Sequence, residues 1–90
     1  MDNLLLEEVV WEDHYDISRW MDIEEVEENG QTPLLVYSSG YVVSETKRYI
    51  ALANHVRFTD RGLLVVDGVM YILKATIKRR TKYGKSHSYK

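Results

Sequence analysis

The stretch GYVVSETKRYIALAN, residues Gly40 to Asn54, reads as two strands joined by a turn. β-Branched and aromatic residues fill both halves, and the polar run Glu45-Thr46-Lys47-Arg48 separates them, which predicts a hairpin. The difficulty is its second face. Ile50 and Leu52 alternate with Tyr49, Ala51 and Ala53, and Val42 alternates with Tyr41 and Val43. A half-buried antiparallel strand places polar residues on one face, yet both faces here are apolar. One short helix is too small to cover the second face of every strand, so a folded-over loop or another subunit must do it. A homo-oligomer is the favoured expectation, because exposed apolar patches of that size mark interfaces.

The flanking sequence supplies the other elements. LLLEEVVWE (Leu4 to Glu12) reads as a first strand, with helix an alternative for its first half. In MDIEEVEENG, Asp22 is placed to cap a short helix over Ile23 to Glu28. Glu25 lies three residues on, and Asn29-Gly30 is the stop. PLLVYS is a strand that follows a proline, and TDRG is a turn. LLVVDGVMYIL reads as two runs joined by an Asp67-Gly68 hairpin turn, and KATIKRR as a last short strand. The expected fold is mainly β with one helix. It is a small bent antiparallel sheet, or an SH3-like or Sm-like barrel, of about five strands, since so short a sheet closes on itself to bury its apolar face. One domain over 1–80 and a flexible basic tail over 81–90 complete the organisation.

Composition narrows the function classes. The 90 residues contain no cysteine and carry a net charge of −2. Disulfide frameworks and thiolate metal sites are thereby excluded, which fits a cytoplasmic setting. No run is long and apolar enough to span a membrane, and the start lacks a signal-peptide pattern. The charge is unevenly spread. Residues 1–29 hold eleven acidic side chains and one basic one, whereas residues 78–90 hold six Lys or Arg and no acid. Such a tail is either a solvated terminus or an anion-binding arm.

Two stretches carry candidate chemistry. WEDHYDISRW, Trp11 to Trp20, gathers Glu12, Asp13, His14 and Asp16 between the chain's two tryptophans. A metal site would need three or four converging ligands and a second shell; no second His cluster supports one, and no metal or cofactor is expected. The stretch is then either a strand end, with Asp13 or Asp16 tying the turn through the backbone, or the rim of a ligand site. In the second case Trp11 or Trp20 stacks a base and Asp13 accepts from a hydroxyl or amine. In ANHVRF, Asn54, His55 and Arg57 follow a strand. Arg57 is suited to a phosphate and Asn54 to a base edge, with Tyr41 or Tyr49 stacking; the alternative is an exposed loop with an ion pair to Asp60 or Glu45. Ser38, Ser39 and Ser44 lie in strand contexts without a nucleophile elbow, so binding is expected and catalysis is not.

Two resemblances meet on these residues. SSGYVVSETKRYIALANH with GVMYILKATI resembles the Sm-like family, including its bacterial RNA-chaperone branch, at Gly40, Val42, Ile50, Leu52, Tyr71, Lys74 and Ile77. That resemblance implies an N-terminal helix, a five-stranded barrel, ring assembly and single-stranded RNA as partner. The chain departs from it in the hairpin turn, where Glu45 stands instead of an aspartate. Lys74, at the place of the family's lysine, is equally readable as an edge-strand gatekeeper. More of the chain resembles a group of small bacteriophage proteins, through Trp11, Asp13, Trp20, Gly40 to Glu45, Tyr49 to Ala53 and ILKATI; Leu73 stands where that pattern favours proline. Some small oligomeric phage proteins sequester nucleotide signals of bacterial immunity. By that analogy of size and assembly the expectation is a non-enzymatic homo-oligomer. It holds a small nucleotide-like ligand in the host cytoplasm through Asn54, Arg57, Tyr41, Trp11, Asp13 and Trp20. An Sm-like RNA-binding ring and a protein-protein inhibitor of a host factor are the alternatives.

Overall fold

In chain order the elements are β1 (Asn3–Asp13), α1 (Ile23–Asn29), β2 (Leu34–Glu45), β3 (Tyr49–Phe58), β4 (Leu64–Leu73), a 3-10 turn (Lys74–Thr76) and β5 (Ile77–Ser88). The computed structural model describes residues 3–88, with side chains described over 4–83. The strands form one antiparallel sheet in the order β4-β3-β2-β1-β5. β4 and β5 are its two edges, so the sheet is open; the closed-barrel alternative is not what forms. The helix lies between β1 and β2, not ahead of the strands as the Sm-like resemblance implies.

The β2–β3 hairpin forms where the sequence places it. Thr46 holds its turn, accepting at Oγ1 from the backbone N–H groups of Arg48 and Tyr49 at 3.2 and 3.0 Å. The helix also starts as read. Asp22 caps it by accepting from the Glu25 N–H at 2.9 Å, while the Glu25 carboxylate takes Arg19 instead of closing a capping box.

The sheet folds over on itself at β2. Its residues up to Val42 pair with β1, and those from Tyr41 pair with β3. The core consists of Val9 of β1 packed with Ile50 and Leu52 of β3 and Ile72 of β4, flanked by Trp11, Val42 and Ile77. Strands two and three places apart in a flat sheet stand about 10–15 Å from one another, so Val9 reaches this cluster only because the β1–β2 layer turns back over β3–β4. Gly40 sits at that fold. A Cβ there would lie 2.9 Å from the Ala53 carbonyl oxygen and 3.1 Å from the Leu52 Cβ.

The second apolar face of β3 is resolved differently from expectation. Ala51 and Ala53 are buried within the chain. The register sets Tyr71 opposite Ala51 and Tyr41 opposite Ala53, so tall neighbours shadow small residues. No further layer is needed at that point.

One local reading is corrected. Asp67-Gly68 is not a hairpin turn: β4 runs unbroken from Leu64 to Leu73, and the turn lies at residues 59–63. Thr59 builds that turn. Its N–H donates to the Leu63 carbonyl at 2.9 Å, its carbonyl accepts from Gly62 at 2.8 Å, and Gly62 takes the positive φ of 77°. Gly68 keeps a positive φ of 65° inside the strand, against the Asn54 side chain. The segment from Thr81, expected to be a flexible tail, continues β5 to Ser88. There it pairs with β1 as far as Asn3 opposite Ser88, because the acidic, apolar β1 supplies a free edge along its whole length. Residues 89–90 of that expected tail lie outside the described residues.

Beyond Ala53 and Val69 the β3–β4 hairpin leaves the body as an arm. Its register is unbroken, so Val56, Val66, Phe58 and Leu64 stand on the face that carries Ile50, Leu52 and Ile72. This face continues that of the core past the buried cluster of the described residues. The molecule is accordingly drawn out to 59 × 22 × 22 Å with a radius of gyration of 17.5 Å, against about 12 Å for a compact chain of this length. Its accessible surface of 7176 Å² exceeds the roughly 5,500 Å² of a globular monomer of this mass.

Gly40→Ala tests the fold-over. Its Cβ meets backbone as well as side chain, so overpacking should cost about 1–3 kcal/mol in urea unfolding. Gly30→Ala, where a Cβ meets nothing closer than 3.5 Å at a negative φ, should leave stability nearly unchanged.

Candidate functional site

The WEDH stretch does line a cleft. The fold-over brings the end of β1 against the end of β4 and the start of β5. Between them lies a cleft of about 510 Å³ whose walls include Trp11, Asp13, His14, Met70, Tyr71 and Lys78. Trp11 is held in place by its indole N–H, which donates to Ser38 Oγ at 3.0 Å; that hydroxyl in turn lies 3.6 Å from Met70 Sδ. Asp13 lies at the end of β1, on the wall of the cleft. Its carboxylate accepts from the adjacent His14 backbone N–H at 2.8 Å. Lys78 Nζ pairs with Glu12 Oε1 at 3.0 Å across the rim. His14 Nδ1 is 3.4 Å from Asp13, with the imidazole otherwise in solvent.

The expected site residues are not gathered in one place. Trp11 and Asp13 share the cleft. Asn54 lines a smaller hollow with Ser38, Ser39 and Gly68, which adjoins the cleft through Met70. Arg57 lies out on the arm with His55 and Asp67. Trp20 stands 98% exposed in the loop before α1, beside Ile17 and Arg19. Tyr41 lies opposite Ala53 in the hairpin and lines none of these hollows. Among the described residues no group of three or more His, Asp or Glu is placed to hold a metal ion. Glu12, His14 and Asp16 thus share a stretch of sequence without forming a ligand set.

Met70, Tyr71 and Lys78 were not legible as site residues. Nothing local marks them; Met70 and Tyr71 meet Trp11 because the sheet folds over, and Lys78 because β5 pairs with β1. The same holds for the strongest charge cluster. Glu7, 1% exposed, takes two hydrogen bonds from Arg80, Nε to Oε1 at 2.9 Å and Nη2 to Oε2 at 3.1 Å. The other side of the guanidinium meets both oxygens of Glu45 at 3.0 Å. Lys74 Nζ adds a contact of 2.7 Å to Glu45. The network joins β1, β5, the end of β2 and the 3-10 turn. Hydrogen bonds from Arg80 and then Lys74 hold the Glu45 carboxyl at about 2, below its ordinary 4.5. The two carboxylates raise the already high Arg80 pKa. With every charge opposed at hydrogen-bond distance, this is a structural clamp and not an open anion site. Lys74 is occupied by it, which answers the choice between ligand lysine and edge guard with a third role.

Comparison of the chain with known protein families, with curated proteins and with solved structures finds no match.

The clamp gives two expectations. Arg80→Met leaves Glu7 buried without its partner, which should cost about 3–5 kcal/mol, and adding Glu7→Leu should recover much of the loss. Glu45 has a depressed pKa in the folded state. Its contribution is therefore complete above about pH 4.5 and is lost as pH falls toward 2. A Glu45→Gln chain should show a shallower loss of stability across that window in pH-dependent thermal melts.

Proposed function

We propose that the chain is a binding protein that takes a planar, nucleotide-like ligand in the Trp11–Tyr71 cleft. The observation that carries this reading is the cleft itself: an aromatic wall of fixed orientation faces a carboxylate and an ammonium group, in a volume suited to a small ligand. A base stacks on Trp11 or Tyr71, and Asp13 accepts from a ribose hydroxyl or an exocyclic amine. Lys78 can leave the exposed Glu12 for a phosphate, since surface ion pairs are worth at most about 1 kcal/mol. Asn54 stands one hollow away, within reach of a longer ligand that passes Met70. Arg57 takes no part.

A small protein that holds a nucleotide signal without transforming it acts by sequestration. That activity suits the resemblance to small bacteriophage proteins, and it would work in the cytoplasm of the infected cell. One observation favours RNA as the second reading: β5 presents Lys78, Arg79 and Lys82 along a free edge of the sheet. Stacking of one base contributes about 1–3 kcal/mol, so Trp11→Leu should weaken binding by roughly tenfold to a hundredfold. Calorimetry against cyclic dinucleotides, ADP-ribose-type ligands and a short single-stranded RNA tests this. Trp11→Leu and Lys78→Ala should each weaken nucleotide binding, and Arg57→Ala should not. Binding only to RNA, with an affinity that falls steeply with salt, would replace the first reading with the second; binding to neither would remove both.

A further inference from the structure

One polar side chain interrupts the apolar face of β3. After Ile50 and Leu52 the next residue on that face is Asn54, and the register sets Gly68 of β4 opposite it. Asn54 is exposed, and its amide has no hydrogen-bond partner among the described residues. Gly68 takes a positive φ of 65° within the strand. A Cβ there would stand 3.0 Å from Asn54 Nδ2 and 3.1 Å from Asn54 Cβ. The Asn54 side chain therefore lies along the Gly68 backbone, in space that any other residue at 68 would fill. Glycine weakens a strand interior and marks a bulge or a close approach; here the close approach is that of the amide. Water satisfies an exposed amide, but it does not account for the glycine.

Asn54 and Gly68 line a hollow of about 350 Å³ together with Ser38, Leu52 and Met70. That hollow and the Trp11 cleft, of about 510 Å³, have Met70 in common, and each falls in the size range of small-ligand sites. Ser38 ties the two spaces together. Its hydroxyl accepts from the Trp11 indole N–H at 3.0 Å and donates to Met70 Sδ at 3.6 Å. The divider between them is thus a thioether side chain, which adapts its shape readily to what lies against it. The same hydroxyl that fixes the stacking wall of the cleft fixes the divider.

We propose that the hollow is a second base-binding subsite and that the ligand is a dinucleotide. This rests on the reading that the Trp11 cleft takes a nucleotide-like ligand. One base stacks in the cleft, and the linker passes Met70. The second base sets its edge against the Asn54 amide. That amide offers a donor and an acceptor side by side, the pattern that matches the amino group and ring nitrogen of adenine. Gly68 is a positioning residue: it acts through Asn54, whose side chain it lets lie along the strand.

Calorimetry with AMP and with the linear dinucleotide of two adenosines tests this, read as the ratio of the two affinities in each variant that circular dichroism shows to be folded. The parent should bind the dinucleotide about tenfold to a hundredfold more tightly than AMP, the order by which a bidentate amide–adenine pair discriminates. In Asn54→Ala that advantage should vanish. Gly68→Ala should reduce it likewise, because the new Cβ displaces the Asn54 amide. Added to Asn54→Ala, Gly68→Ala should change the ratio no further, since the two act as one unit. Should Gly68→Ala fail to fold, Asn54→Ala alone decides. A parent that holds the dinucleotide no more tightly than AMP, or an Asn54→Ala chain that keeps the parent's ratio, would overturn the proposal. If AMP then still binds and Trp11→Leu weakens it, the cleft reading stands without the second subsite. If neither ligand binds, both readings fall.

Discussion

The structure depends on the close approach at Gly40. Because no Cβ stands there, β2 comes against Leu52 and the Ala53 carbonyl and the β1–β2 layer turns back over β3–β4. Everything else follows from that contact. It carries Val9 to Ile50, Leu52 and Ile72, and so makes a core out of a single sheet. It places the end of β1 beside the end of β4, and so opens the cleft behind Trp11. It also brings Glu7 and Arg80 under Glu45, where the clamp fixes β5 to the far end of the hairpin. The clamp supplies direction more than net energy, since buried ion pairs roughly balance their desolvation; its loss is costly because one charge would be left alone.

The same contact sets where the cover ends. The returning layer is shorter than the face it covers. On that face of β3 stand Ile50, Leu52, Asn54, Val56 and Phe58, and the buried cluster takes only Ile50 and Leu52. The elongated outline and the excess of accessible surface are two measures of that mismatch. With few fully buried side chains among the described residues, the chain gains little from its own core.

Much of this was legible in the sequence, and the reasons for the rest are physical. The helix was readable because Asp22 and Gly30 bracket a helix of about two turns with local signals, and the Thr46 hairpin because its turn is local. The excess of apolar residues on β3 was also readable, but not its resolution. Alanines shadowed by tyrosines at positions 51 and 53 need the register, which is set by strands distant in sequence. Asp67-Gly68 misled because it is the stronger pair by local sequence, whereas the turn that forms, the longer loop 59–63, is held by three hydrogen bonds to Thr59 and Leu63. The site was half legible. Trp11 and Asp13 were found by composition, whereas Met70 and Tyr71 join them only through the fold-over and Lys78 through the pairing of β5 with β1. Arg57 and Trp20 were drawn into the same expectation by residue type, and the structure sets them on separate surfaces.

The central claim is that the sheet folds back at Gly40 and so makes its own core. The most direct measurement is a nuclear Overhauser contact between the methyl groups of Val9 and Ile72. The account predicts a clear cross-peak, since both side chains lie in one buried cluster. Its absence would contradict the account, because three strands apart in a flat sheet the two would stand about 15 Å from one another.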